Sequence, residues 1–143
     1  MIKKILLPVI LLMLFAFSGD GPYKDGQYTG VSRSVYTYEP YYGHSNITVE
    51  NGRITNVVFF VRDSLKHEYF DEKYEKYFEG NDEYIVQCRN DWKGVQSYPD
   101  SLLKYQDPDK VDVISGATWS YNIFLASTRE ALISAEMTQN DKP

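Results

Sequence analysis

A ten-residue stretch near the C-terminus, Val111–Ser120, reads VDVISGATWS and combines hydroxyl side chains with a glycine. Gly116 tolerates backbone conformations that other residues resist, and Ser115, Thr118 and Ser120 carry hydroxyls that can cap the start of a helix. The free amides and the positive dipole end of a helix N-terminus also favour a phosphate group. A hydroxyl placed there can cap the helix or hold a phosphate covalently, and the spacing alone does not choose between the two.

Three other residue types could do chemistry, but their spacing is unspecific. His44 and His67 are the only histidines, and we expect them to lie on the surface without forming a metal site. Cys88 is the only cysteine, which excludes an intramolecular disulfide and a thiolate-only zinc site. We expect Cys88 to be a buried apolar thiol. Trp119 could stack on a flat π-system or pack as a core residue at the helix entry.

The composition narrows the class of protein. The chain has 143 residues, with 15 basic and 20 acidic side chains and a formal net charge of −5. This length suits one domain, and the acidic balance argues against a nucleic-acid partner, which needs clustered Lys and Arg. The count of 13 tyrosines is unusually high. Four of them form a cluster that could border a cofactor or partner or pack on a sheet: Tyr36, Tyr38, Tyr41 and Tyr42.

The N-terminal segment, residues 1–18, reads as a secretory signal peptide. Lys3 and Lys4 precede an uncharged apolar run, Ile5–Phe17, and Ala16 and Ser18 offer small residues for a signal peptidase. The run is too short to span a bilayer comfortably, and an uncleaved anchor is the alternative. Behind it we expect a linker at residues 19–24, one domain at residues 25–137 and a tail at residues 138–143.

A β-hairpin is the strongest local prediction, because Asn51-Gly52 separates two apolar strands and suits a two-residue turn with positive φ. In that register Val49 faces Ile54, and Ile47 faces Asn56. The alternation then places two sets of apolar residues on opposite faces of the sheet, so that the second strand is covered on both sides. These sets are Ile47, Val49, Ile54, Val58 and Phe60 on one face, and Val57, Phe59 and Val61 on the other.

Helices are predicted on both sides of an unassigned segment, Glu79–Asp100. Aromatic residues recur at helical spacing within Asp63–Phe78. A short helix is predicted at Ser101–Gln106, after Pro99, and a longer one begins near Tyr121 and ends before Asp141. These elements together predict an α+β fold, in which a twisted, mainly antiparallel sheet is packed by helices, including a C-terminal one.

The stretch Asp112–Thr118, DVISGAT, resembles the flavinylation motif of the FMN-binding domain family. This domain occurs in subunits of sodium-pumping NADH:quinone oxidoreductases, in the related Rnf complexes and in small exported proteins. The similarity extends to the opening strand at Asp25–Gly30, the Asn-Gly hairpin within Val49–Ile54, Gln106 and the C-terminal helix. The region from residue 63 to residue 100 matches poorly.

The resemblance implies that Thr118 carries FMN through a phosphoester, installed by a flavin transferase that takes FMN from FAD and releases AMP. Ser115, Gly116 and Ala117 would then shape the turn around the phosphate, and Asp112 would mark the site for the transferase or anchor the turn. Trp119 would lie beside the ester. Members often continue with Thr-Ser where this chain has Ser120-Tyr121, and Ser120 is the less favoured alternative acceptor.

The resemblance therefore implies an exported flavoprotein that transfers electrons at the periplasmic or extracytoplasmic face of a membrane. Its partners would be the flavin transferase and redox proteins or a quinone-linked membrane complex. No paired acid and base stands out in the sequence, which favours an electron carrier over an enzyme with its own substrate. Two alternatives stay open: an exported binding domain of the same fold without covalent flavin, and a structural envelope protein without a ligand.

Overall fold

The computed structural model of the chain describes residues 21–33 and 38–136. The four strands are β1 (Gly26–Arg33), β2 (Tyr41–Glu50), β3 (Arg53–Asp63) and β4 (Glu68–Tyr69). They form one antiparallel sheet in the order β1-β2-β3-β4. The helices are α1 (Asp82–Tyr105) and α2 (Thr118–Ile133), with 3-10 turns at Tyr74–Phe78 and Pro108–Lys110. The α+β prediction is confirmed. The predicted signal peptide, the predicted tail and Tyr36 lie outside the described residues.

Both helices pack on one face of the sheet. Helix α2 lies across β1 and β2, α1 packs against β3, and the two helices contact each other. Gly30 lets α2 approach β1 closely, because a Cβ built there would lie 2.0 Å from the carbonyl oxygen of Ser127. Within this buried layer the hydroxyl of Ser45 is 2.7 Å from that of Ser127. Along the described residues, no helix combines the length and the apolarity that a membrane crossing requires.

The Asn-Gly hairpin is confirmed, but its register differs beyond the first pair. Asn51 and Gly52 have φ values of 53° and 74°, and Val49 pairs with Ile54 as predicted. A bulge between Thr48 and Val49 then shifts the ladder, so that Ile47 pairs with Val57 instead of Asn56. The extra residue in β3 exchanges the two faces of the strand from that point onward.

The bulge changes which side chains of β3 form the core. Val57, Phe59 and Val61 lie on the buried face together with Ile47 and Val49. Val58 is 46% exposed and Phe60 is half-buried on the opposite face. The predicted grouping of Val58 and Phe60 with the hairpin core was therefore wrong, and so was a second strand covered on both faces.

The predicted helix at Asp63–Phe78 is also wrong. Strand β3 continues to Asp63, the chain turns back into β4, and only Tyr74–Phe78 is helical, as a 3-10 turn. The side chain of Asp63 stabilises the turn by accepting hydrogen bonds from the amides of Leu65 and Lys66. Phe70 and Tyr74 are buried, and this compact aromatic turn produces the spacing that resembled a longer helix.

The unassigned segment belongs to α1, a helix of 24 residues that includes the region predicted to begin after Pro99. Asn81 caps its start by accepting a hydrogen bond from the Tyr84 amide. Pro99 lacks an amide and normally disrupts a helix interior, but Tyr98 and Leu102 on either side of it are fully buried. Their packing outweighs the missing hydrogen bond and keeps the helix continuous.

Gln106 joins the end of α1 to the hairpin. It adopts a left-handed conformation with φ of 61° at the helix C-cap. Its side-chain amide accepts from the Ile54 amide at 2.8 Å and donates to the Ile54 carbonyl at 2.9 Å. One side chain thus satisfies both backbone groups of an edge position, as a neighbouring strand would. The resemblance drew attention to this residue, and the structure gives it a structural role.

We expect Gly30→Ala to destabilise the domain by about 1–3 kcal/mol or more, because the new methyl group meets the backbone of α2. Thr29→Ala is the matched control on the neighbouring exposed position, where a change of within about 0.5 kcal/mol is expected. Urea unfolding followed by circular dichroism measures both. Equal unfolding midpoints for the two variants would contradict the close approach of α2 to β1.

Candidate functional site

The hydroxyl-rich motif forms the loop and turn that lead into α2. Gly116 has a φ of 77°, in the left-handed region that favours glycine. Ala117 is buried and is the N-cap residue, and Thr118 is the exposed first residue of the helix. Asp112 and Ser115 are also exposed. The structure thus brings the predicted acceptor and its flanking residues to one helix N-terminus, three residues before the predicted helix start at Tyr121.

A buried carboxylate from α1 caps the start of α2. Asp91 is 2% exposed, and its Oδ1 accepts from the Ser120 amide at 2.9 Å and from the Ser120 hydroxyl at 2.8 Å. Gln87, one turn earlier, donates to Asp91 Oδ2 at 2.7 Å and to the Gly116 carbonyl at 2.8 Å. Capping by a motif hydroxyl, one of the two roles that the sequence left open, is not observed: the N-cap residue Ala117 makes no side-chain cap, and Asp91 accepts from the Ser120 amide instead.

Tyr98 binds the same turn from the buried side. Its hydroxyl donates to the Ala117 carbonyl at 2.9 Å and accepts from the Ile114 amide at 3.2 Å. The ring is fully buried, and burial raises the pKa of Tyr98 above its ordinary value. Tyr121 adds a hydrogen bond of 2.7 Å to the Val111 carbonyl. The turn is therefore held on both sides of Gly116 by hydrogen bonds to tyrosine hydroxyls.

Helix α1 lies too close to the turn for larger residues. A Cβ at Gly94 would be 2.6 Å from the Ser120 hydroxyl oxygen, and one at Gly116 would be 2.7 Å from Nδ2 of Asn90. The two glycines therefore let the two helices and the turn pack as one unit, in addition to the positive φ of Gly116.

An aromatic pocket of about 270 Å³ opens beside the first turn of α2. Trp119 forms one wall, and its Nε1 donates to Glu39 Oε2 at 2.9 Å. The ring of Tyr41 meets Trp119 edge-on, with 5.0 Å between ring centroids. The remaining lining residues come from α1, from the 3-10 turn and from the loop before it: Phe70, Phe78, Tyr84, Gln87, Cys88 and Asp91.

The pocket accounts for two sequence features. Trp119 is half-buried against the core cluster, as the packing alternative predicts, and it also lines the pocket. The tyrosine cluster is divided: Tyr41 lines the pocket, Tyr42 belongs to the opposite face of β2, and Tyr38 is 82% exposed. Tyr41 is therefore the one described member of the cluster that lines this pocket.

The remaining candidate residues show ordinary environments. Cys88 is buried as predicted, and burial, assisted by the charges of Glu75 and Asp91, raises its pKa to about 11. The thiol is therefore protonated near neutral pH. His44 stacks on Phe60 with 4.8 Å between ring centroids. In residues 21–33 and 38–136, no three His, Cys, Asp or Glu side chains converge as a metal site would need.

The sequence interpretation missed the side chains of α1 that hold the turn. Gln87, Asp91, Gly94 and Tyr98 share one helix face at spacings of four, three and four residues. That spacing is the signal that could have found them, because a polar stripe interrupted by glycine is unusual in a charged segment. It was hidden while the segment from residue 79 to residue 100 had no assigned structure.

Comparisons with known proteins address the identity of this fold and site. Residues 44–133 match the model of the FMN-binding domain family. The crystal structure of the CPE2226 protein from Clostridium perfringens is similar, with a TM-score of 0.54 and 23% identity over 78% of this chain and 88% of that one. This likeness shows a shared fold, and no curated protein matches the chain. The family model covers more than half of the chain and includes the turn at Thr118, so the chain belongs to the FMN-binding domain family.

Proposed function

We propose that this protein carries FMN covalently, as a phosphoester on Thr118, and transfers electrons in an extracytoplasmic redox chain. One observation carries the proposal: the exposed first residue of α2 is a threonine, and the next residue, Trp119, lines a pocket of aromatic side chains. The family supplies the flavin-binding role. The covalent bond, the electron transfer and the location are inferences from the residues described below.

The N-terminus of α2 fits a phosphate group. The amides of Thr118 and Trp119 precede the first intrahelical bond, which joins the Tyr121 amide to the Ala117 carbonyl. Among the backbone amides of this turn, Asp91 accepts only from that of Ser120. The amides of Thr118 and Trp119, together with the positive end of the helix dipole, would therefore serve the phosphate. An ester on Thr118 would place its phosphate at these groups.

The pocket fits a flat aromatic ring. Its walls include Trp119, Tyr41 and Phe70, and aromatic faces and edges are suited to a planar π-system. Its volume of about 270 Å³ lies near the lower end of small-molecule sites, which suits one ring system. When bound, FMN supplies the electron-transfer chemistry, while these residues orient the ring and exclude water from it.

The exposed residues before the turn suit recognition by a transferase. Asp112, Ser115 and Thr118 are all exposed, whereas Asp91 and Tyr98, which hold the turn, are buried. A modifying enzyme can therefore read the accessible residues without displacing the packed ones. The leader at residues 1–18 motivates the extracytoplasmic location, where a covalent bond keeps the cofactor from being lost by dilution.

Thr118→Val tests the acceptor. We expect complete loss of covalent flavin, because valine keeps the shape of threonine but has no hydroxyl to form the ester. Ser120→Ala is the matched control: it removes one hydrogen bond to the buried Asp91, costs about 1–3 kcal/mol of stability and retains the flavin. Each variant is co-expressed with a flavin transferase, and a denaturing gel is imaged for flavin fluorescence.

The same gel can contradict the proposal. A wild-type band without fluorescence, beside a known substrate that the transferase does label, would exclude covalent attachment. Fluorescence that persists in Thr118→Val and disappears in Ser120→Ala would move the acceptor to Ser120.

Asp112→Ala tests recognition by the transferase. We expect the rate of flavin loading to fall at least about tenfold, because a hydrogen bond to a charged group contributes about 1.5–3 kcal/mol. Stability should change by no more than about 0.5 kcal/mol, since the side chain is exposed. Glu130→Ala, which removes an exposed carboxylate from α2 away from the turn, should load at the wild-type rate. Equal loading rates for both variants would remove Asp112 from the recognition site.

A further inference from the structure

A chain of three hydrogen-bonding side chains leads from the pocket into the core. The hydroxyl oxygens of Tyr41 and Tyr74 are 3.0 Å apart, and the Tyr74 hydroxyl donates to Oδ2 of Asp63. Tyr74 and Asp63 are each 1% exposed. Tyr41 lines the pocket beside Trp119. A buried carboxylate is thus connected through two hydroxyls to the place where we expect the flavin ring.

Asp63 is held in its charged form. Its Oδ1 accepts from the amides of Leu65 and Lys66 at 2.9 Å and 3.0 Å. Burial alone would raise the pKa of Asp63, but the hydrogen bonds from Tyr74 and from these amides outweigh burial and hold the pKa below its usual value. A carboxylate has no proton to donate, so Asp63 is only an acceptor.

The charge of Asp63 fixes the donor and the acceptor in both hydrogen bonds of the Tyr41–Tyr74–Asp63 series. Tyr74 has one hydroxyl proton, and it is directed to Asp63. In the contact between the two tyrosines, Tyr74 must therefore accept and Tyr41 must donate. The single proton of the Tyr41 hydroxyl is committed to the core. Any further hydrogen bond at that hydroxyl, including one to a ligand in the pocket, must be donated by the ligand.

We propose that the Tyr41–Tyr74–Asp63 chain makes Tyr41 a fixed hydrogen-bond acceptor for an N–H group of the flavin ring, and that it thereby favours the reduced ring over the oxidised one. Reduction adds N–H groups to the ring, and an acceptor placed at one of these added groups binds the reduced ring but has no donor in the oxidised one. We assign Tyr41 to such an added N–H. This inference rests on the proposed function and assigns it a specificity-determining residue, Tyr41, with Tyr74 and Asp63 as positioning residues.

Packing alone does not require these hydroxyls. Phe70 occupies the same aromatic cluster, with its ring centroid 6.4 Å from that of Tyr41 and 5.2 Å from that of Tyr74. A phenylalanine therefore fills this environment without a polar group. Burial of a carboxylate is costly unless its hydrogen bonds are satisfied. One of the hydrogen bonds that Asp63 accepts comes from Tyr74, and this bond orients the two tyrosine hydroxyls.

Asp63→Asn should reverse the direction of the hydrogen bonds between residue 63, Tyr74 and Tyr41. The asparagine oxygen can keep the two amide bonds that Oδ1 now accepts, which places its NH₂ group at the position of Oδ2, facing Tyr74. That group donates, so the Tyr74 proton turns to Tyr41 and the Tyr41 proton turns into the pocket. Loss of the negative charge at Asp63 would by itself favour the reduced ring, whereas reversal of the hydrogen bonds disfavours it. The direction in which the ratio of reduced to oxidised flavin changes therefore distinguishes the two causes.

The test uses the full chain loaded with FMN and measures the ratio of reduced to oxidised flavin by absorbance at a fixed ambient potential. In Tyr41→Phe we expect this ratio to fall about fivefold, the effect of one neutral hydrogen bond. In Asp63→Asn the ratio of reduced to oxidised flavin should fall by more than in Tyr41→Phe. In a protein that already carries Tyr41→Phe, adding Asp63→Asn should instead raise the ratio, because only the loss of charge then acts. Tyr23→Phe removes a buried hydroxyl that donates to Gln106, remote from the pocket, and should leave the ratio unchanged.

An unchanged ratio in Tyr41→Phe, or a raised ratio in Asp63→Asn alone, overturns the inference while leaving the flavin attachment intact. If Asp63→Asn does not fold, Tyr74→Phe replaces it: Tyr41 then loses its fixed direction, and the ratio should fall by less than in Tyr41→Phe. A ratio in Tyr74→Phe equal to that of the wild type overturns the inference as well. Wild-type protein that takes up no flavin overturns the proposed function and this inference together.

Discussion

The carboxylate of Asp91 is the contact on which the site depends. It lies between the two helices and satisfies the amide and the hydroxyl of Ser120, while Gln87 ties it to the turn at Gly116. A buried charge is stable only when such donors surround it. The same interaction therefore fixes the spacing of α1 and α2. It also sets the conformation of the residues before Thr118.

Local signals in the sequence predicted the hairpin, because it depends on neighbouring residues, whereas the proposed site was indicated by the resemblance of one continuous motif to the FMN-binding domain family. Asn51 and Gly52 specify a turn by their own backbone preferences, and the motif from Asp112 to Thr118 is continuous. The bulge was not predictable in this way. It depends on which face of β3 packs better against α1, a choice that alternation of apolar residues cannot make when both faces of the strand are apolar.

The tertiary parts of the site escaped the sequence interpretation for a related reason. Asp91 and Tyr98 belong to a charged helix that contains Pro99, and proline is common at a helix start but opposes a helix interior, so its position favoured a helix that begins after it. Asp63 and Tyr74 meet across a turn whose spacing resembled a helix. In each case a buried partner, distant in the sequence, decided the local structure against the propensity of the segment.

The way α1 holds the turn before Thr118 bears on when the proposed flavin attachment would occur relative to folding. Three side chains from this helix, Gln87, Asp91 and Tyr98, bind the turn through hydrogen bonds. A peptide with the motif alone lacks all three, so the turn takes this shape only after the helices have packed. A flavin transferase that recognises the folded turn would therefore modify only protein that has completed folding. Under the proposed function, covalent flavin would then mark the folded molecules.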